Sequence, residues 1–174
     1  MVYHSPKHPF FVHANDLREE TMAELRIVPV TPDNFPDLIR LIVGLAEYEH
    51  LDPPDDPARK RLFADAFSDP PRYEAFLAMA DGIPAGYVTF YHTYSSFLAR
   101  PSLYLEDIYV REEFRHRGIG RELFRFCRDI ARERGCGRMD WQVLTWNEPA
   151  IRFYEQAGGK RLEWYSYRIG REEL

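Results

Sequence analysis

At 174 residues, with 45% hydrophobic and 15% aromatic side chains, the chain can bury one full core and reads as a single globular domain. Its formal charge of −5 excludes a general nucleic-acid binder, which would be basic overall. No apolar stretch reaches membrane-spanning length and no secretory leader opens the chain. Cys127 and Cys136 suggest neither a disulfide framework nor a metal set, so a cytoplasmic protein without a membrane or metal partner is expected.

Residues 1–22, with Pro6 and Pro9 and no sustained periodicity, read as an N-terminal extension that lacks order. His4, His8 and His13 there have no carboxylate or thiol partners that would favour a metal. The domain is expected over 23–174, starting with a strand from Glu24 to Val30. Thr31-Pro32-Asp33 reads as a helix opening, with Thr31 as cap, Pro32 in the first turn and Asp33 favouring the dipole. Leu38, Leu41, Ile42, Leu45 and Ala46 supply its apolar stripe.

Pro53, Pro54 and Pro57 then break the chain into an acidic loop. A second helix is predicted over 58–67, and strands over 73–80 and 85–94 flank the hairpin signal Asp81-Gly82-Ile83-Pro84. A strand over 103–110 precedes Arg115-His116-Arg117-Gly118-Ile119-Gly120 and a helix up to Gly135. A strand over 138–145, a helix over 148–157 and a last strand over 162–169 complete the order β-α-α-β-β-β-α-β-α-β. This is a mixed α/β chain, without the regular alternation of a doubly wound fold.

The glycine hexapeptide is the most informative motif. Glycines at a helix mouth let the backbone approach a ligand, and the first amides of a helix point outward at its positive end. Together they suit a phosphate. A P-loop would need Lys-Ser/Thr after Gly120, where Arg121-Glu122 stands. A dinucleotide fingerprint would need a third glycine, where Leu123 stands. Charge is distributed to match an anion there: arginines crowd residues 111–138. By contrast 47–56 carries Glu47, Glu49, Asp52, Asp55 and Asp56 with no lysine or arginine. Two solvated faces remain the plainer reading of those runs.

Three blocks in order carry a family resemblance: Leu103-Tyr104-Leu105-Glu106-Asp107-Ile108-Tyr109-Val110, then the glycine hexapeptide, then Trp146-Asn147-Glu148-Pro149-Ala150-Ile151-Arg152-Phe153-Tyr154, with Tyr91-His92-Thr93-Tyr94 ahead of them. From Met22 onward the chain resembles the GNAT (Gcn5-related) N-acetyltransferases, and within them the diamine acetyltransferases that act on spermidine, spermine or thialysine. The resemblance implies a mixed, mostly antiparallel sheet with helices on both faces and two parallel central strands that splay apart.

It also implies acetyl-CoA as co-substrate. Backbone groups of Ile108, Tyr109 and Val110 would meet the pantetheine arm. Amides from Arg115, His116, Arg117, Gly118, Ile119, Gly120 and Arg121 would hold the pyrophosphate, and Asn147 would touch the cofactor from the next helix. Tyr154 is implied as general acid and Glu106 as general base. Strand alternation would turn Glu106 to the side of Tyr104, Ile108 and Val110, and Asp107 to the side of Tyr109.

Asp107, Glu47, Tyr48, Tyr91 and Tyr94 are then candidates for holding a small cationic amine, with core tyrosines and a solvated loop as the alternative. Trp164 could add to that wall. The double glycine Gly158-Gly159 before Lys160-Arg161 departs from the family's usual single glycine. A homodimer through the C-terminal strand region is also implied. The acceptor stays open at this point between a diamine, polyamine or lysine-like amine and another amine (an amino acid, an aminoglycoside or a protein lysine), and a non-catalytic acyl-CoA sensor remains a rival.

Overall fold

The computed structural model describes residues 24–174, so the N-terminal extension and its histidines lie outside the described residues. Two units are distinguished, one ending at Gln142 and the other running from Val143 to Leu174.

The first unit is built on a sheet in the order β1-β2-β3-β4-β5. Its strands are β1 (Leu25–Pro29), β2 (Glu74–Ala80), β3 (Ile83–Ser95), β4 (Arg100–Val110) and β5 (Arg138–Trp141). The first four pair antiparallel, and β4 and β5 run parallel. Asp81 and Gly82 turn the β2–β3 hairpin, both with positive φ, as the Asp-Gly pair predicts.

Helix α1 (Phe35–Glu49) begins later than Thr31-Pro32-Asp33 suggests. Asn34 precedes it, and its side chain turns back to accept the Thr31 N–H at 2.7 Å and donate to the Pro29 carbonyl. Pro36, rather than Pro32, takes the first turn, where a missing N–H costs nothing. Helix α2 (Asp56–Ala66) begins earlier than expected, because Asp55 caps it by accepting the Ala58 N–H at 2.8 Å.

Strand alternation sorts the sheet into two faces. Ala75, Leu77 and Tyr87 pack with Phe35, Leu38 and Leu41 of α1, and Phe63 of α2 and Phe67 just after it close edge-on against Phe35. On the other face, Phe76 stacks on Phe90 and meets Phe126 of α3 (Ile119–Glu133) at 4.7 Å. Helix α3 buries Leu123, Phe124, Cys127 and Ile130, the stripe its helical spacing predicts.

The second unit contains α4 (Glu148–Gln156) and a long irregular tail. The strand expected over 162–169 is not formed: this stretch has no ladder among the described residues, and Trp164, Tyr165 and Tyr167 are more than four-fifths exposed. Apolar alternation reports that a segment could serve as a strand, but a strand needs a partner edge to exist. β5 stops at Trp141, short of the expected Thr145, where its ladder with β4 ends at Leu105.

Candidate active site

The site is centred on β4. Its register with β5 covers only Ser102 to Leu105, opposite Arg138 to Trp141. Beyond Leu105, β4 runs on to Val110 paired with β3 alone among the described residues. The Arg111 N–H donates to Ala85 on β3 at 2.9 Å. Backbone groups alternate sides along a strand, so those of Ile108 and Val110 point away from β3, to the side β5 has left. That is the opening an amide-rich ligand arm needs. One of these groups is already engaged, since the Val110 carbonyl accepts from Arg115 Nε at 3.0 Å.

The glycine loop follows directly. Gly118 sits at φ 80° as the N-cap of α3, a conformation that favours glycine. A Cβ there would meet nothing within 4 Å, so the space outside the loop is open. The first intrahelical bond is Glu122 N–H to Gly118 O at 3.1 Å, which leaves the amides of Ile119, Gly120 and Arg121 ahead of the ladder. The Ile119 side chain is buried, and only its backbone is available to a ligand. His116 (φ 62°), Arg117 and Arg121 are exposed around this mouth. Open space, outward amides and basic surroundings fit the pyrophosphate of coenzyme A.

The strand carries a feature that simple alternation misses. Thr89 pairs with Asp107, whereas the next residue, Phe90, pairs with Leu105. Glu106 is therefore the extra residue of a β-bulge. Tyr104 pairs with Tyr91 and Ile108 with Val88, and Tyr91 and Val88, three residues apart on a regular stretch of β3, face opposite ways. Glu106 thus cannot share a side with both Tyr104 and Ile108, as the expected alternation had it. Asp107 and Tyr109 lie on the α1 face, opposite Thr89 and Tyr87. The charge of Glu106 reaches Tyr91 on that same face, where burial first and Glu106 second raise the phenol pKa. The bulge lets both carboxylates serve one side of the sheet.

Asp107 is held in a polar cluster that the sequence did not single out. Thr89 Oγ1 donates to its Oδ2 at 2.9 Å. The buried Tyr87 hydroxyl lies beside it without the geometry of a full hydrogen bond. The two are close electrostatic neighbours: burial first and the Asp107 charge second push the Tyr87 phenol well above its ordinary range. Burial raises the pKa of Asp107 itself, and the Thr89 bond opposes that rise. Glu49, at the end of α1, is also raised, by burial and then by Asp107. Burial likewise lifts Tyr73 to about 12, with Asp65 and then Asp107 adding to it. A same-face row Tyr87-Thr89-Tyr91 inside an apolar strand was the available signal.

The other acceptor-side candidates separate. Tyr48 is half-buried at the end of α1, with the Arg115 guanidinium 4.8 Å from its ring centre. Tyr109 presses on Gly44 of α1, where a Cβ would fall 2.9 Å from its hydroxyl. Glu47 is exposed and lines, with Arg40, Gly44, Tyr109 and Arg111, a cleft of about 520 Å³. Tyr94 is 68% exposed near the tip of the β3–β4 hairpin, and it stands an odd number of residues from Tyr91, on the opposite face.

In the second unit, Asn147 is the N-cap of α4. Its Oδ1 accepts the Ala150 N–H at 3.2 Å, and the residue is buried. Tyr154 lies nearly two turns on, half-buried, its ring 5.2 Å from that of Phe153.

Comparison with known proteins agrees with this geometry. The profile of the Acetyltransferase (GNAT) family matches residues 36–159. A thialysine N-epsilon-acetyltransferase of Caenorhabditis elegans is 33% identical over 152 residues, covering 85% of this chain and 93% of that protein. L-ornithine N5-acetyltransferase NATA1 of Arabidopsis thaliana is 36% identical over 123 residues, covering 70% of this chain and 49% of that protein. Among solved structures, one described as a probable acetyltransferase superposes with a TM-score of 0.73 at 28% identity, covering 83% of this chain and 97% of that one. The splayed β4, the open glycine mouth of α3 and these likenesses converge: the chain belongs to the GNAT family and is an acetyl-CoA-dependent N-acetyltransferase.

Proposed function

We propose that the acceptor is a small diamine, polyamine or lysine-like amine, acetylated on one primary nitrogen by direct attack within a ternary complex. The observation that carries this reading is the carboxylate cluster on the α1 face, where Asp107 and Glu49 are close enough for Asp107 to raise the Glu49 pKa. Two carboxylates held at the expense of their own ionisation are suited to a ligand that brings positive charge. The names of the relatives, which act on thialysine and ornithine, agree with it. Both names denote amines with a second charged group.

In this reading Glu106 accepts the proton of the attacking ammonium, directly or through water, since only the free amine has a lone pair. Tyr154 donates its phenolic proton to the departing thiolate as the nitrogen–carbon bond forms and the carbon–sulfur bond breaks, and the second proton shed by the acylated nitrogen restores the phenol. Bound acetyl-CoA supplies the activated acyl group. Ile108 and the Val110 N–H pair with its amide arm, and the amides of residues 119–121 hold its pyrophosphate. Tyr48 and Tyr91 flank the acceptor beside Asp107. No helix of the described residues is long and apolar enough to cross a membrane. A cytoplasmic homodimer is part of the same proposal, and the exposed Trp164, Tyr165 and Tyr167 supply apolar surface for it.

The test is thiol release from acetyl-CoA with spermidine, putrescine, thialysine, ornithine and lysine, set against an aminoglycoside and a lysine peptide. Turnover concentrated in the first group supports the proposal. Turnover confined to the aminoglycoside or the peptide would overturn it.

A further inference from the structure

We propose that Arg115 is a positioning residue that ties the glycine loop to the end of α1, so that coenzyme binding at the loop orders the acceptor-side Tyr48. This rests on the acetyltransferase site assigned above, and it gives Arg115 a role other than holding phosphate. Its side chain turns back along β4, where Nε donates to the Val110 carbonyl at 3.0 Å. Its guanidinium then lies over two rings, 4.8 Å from the centre of Tyr48 and 5.9 Å from that of Tyr109. A planar guanidinium suits this triple engagement, since it can donate in its plane while its face meets the phenol rings.

Tyr109 is itself pressed against Gly44 of α1, so α1 meets Arg115 directly through Tyr48 and indirectly through Tyr109. The chain between Tyr48 and Arg115 passes through α2 and three strands, and this contact shortcuts it. Coenzyme binding at the amides of residues 119–121 restrains the loop that begins at Arg115. That restraint passes through the guanidinium to the last turn of α1, which carries Tyr48 and Glu49. The coupling is reciprocal: whatever fixes Tyr48 tightens the loop by the same factor.

The experiment is hydrogen exchange on the full chain with and without coenzyme A. In the wild type, coenzyme A is expected to slow exchange at least threefold both in residues 115–121 and in residues 44–50. In Tyr48→Leu and in Arg115→Gln, slowing is expected to persist at 115–121 and vanish at 44–50, while Tyr48→Phe, which keeps a ring, retains both. With a turned-over amine, Tyr48→Leu should raise the amine KM fivefold or more with kcat within twofold, and adding Arg115→Gln should raise it no further. The proposal is overturned if 44–50 is indifferent to coenzyme A in the wild type, or is slowed equally in Tyr48→Leu and Arg115→Gln. Absence of turnover with every amine would defeat the acceptor assignment alone, because the exchange measurement needs no amine.

Discussion

Thr89 donates its hydroxyl to Asp107 across the rung that follows the bulge, at 2.9 Å, and so holds the carboxylate in place at the edge of the α1 core. The bond opposes, without cancelling, the rise in the Asp107 pKa that burial causes.

The pH consequence has a definite sign. A carboxylate whose folded pKa lies above its unfolded value binds protons more tightly in the folded state. Stability is therefore lost as pH rises from the ordinary carboxylate range through the raised value. Asp107→Asn removes this loss while its amide oxygen can still accept from Thr89. Thermal unfolding should show the variant gaining on the wild type as pH rises above the ordinary carboxylate range, and a constant difference would refute the burial argument. The same substitution removes a charge from the proposed ammonium site, so the amine kcat/KM should fall about tenfold or more, as for a lost charge-assisted hydrogen bond.

Tyr154→Phe should lower kcat by about 100-fold or more, the usual scale of a general acid, with coenzyme A affinity unchanged by calorimetry. Glu106→Gln should do likewise. Full transfer rates in either variant would remove that residue from the mechanism.

Gly86→Ala should be among the most harmful small substitutions. A Cβ there would lie 2.5 Å from the Tyr109 carbonyl, a backbone atom bound into the β3–β4 ladder. A loss of about 1–3 kcal/mol in urea unfolding is expected, on the scale of overpacking. Gly120→Ala is the contrasting case, since its Cβ would sit 3.8 Å from Val110 Cγ2, in ordinary contact. Stability should hold there, and coenzyme A affinity should weaken if the loop carries the pyrophosphate.

Asn147→Ala should cost about 1 kcal/mol of stability through the lost cap of α4, and Asn147→Asp or Asn147→Ser should restore most of it. If Asp and Ser fail to restore stability, the role of Asn147 lies beyond capping.

Much of this was legible because local chemistry and tertiary structure agree. Asp81-Gly82 makes a hairpin wherever alternating strands flank it, and Leu123, Phe124, Cys127 and Ile130 at helical spacing can bury only one face. The glycine mouth of α3 was legible for the same reason. Helix starts were less so, since Pro32 and Pro36 both suit a first turn and the Asn34 side chain decided between them. The segment 162–169 has the pattern of a strand, but a pattern does not supply a partner. The bulge was invisible because it is a property of two strands: nothing in Leu105-Glu106-Asp107 shows that Phe90 and Thr89 will skip a residue.

That skipped residue acts as a change of parity in the strand. Leu105 and Asp107 are two apart, yet Leu105 pairs with Phe90 on the α3 face and Asp107 with Thr89 on the α1 face. Deleting residue 106 would therefore remove one carboxylate and keep the faces of the strand, with Leu105 still opposite Phe90 and Asp107 still opposite Thr89 in an unbroken ladder. Were the bulge instead ironed out with every residue kept, Glu106 would stand opposite Thr89 and each residue from Asp107 to Val110 would turn to the other face, sending the Asp107 carboxylate into the apolar side beside Phe90 and lifting Tyr109 off Gly44. A gap at this position in any relative would thus cost the carboxylate of residue 106 and leave the orientation of the acceptor face intact, whereas loss of the bulge alone would rewire it.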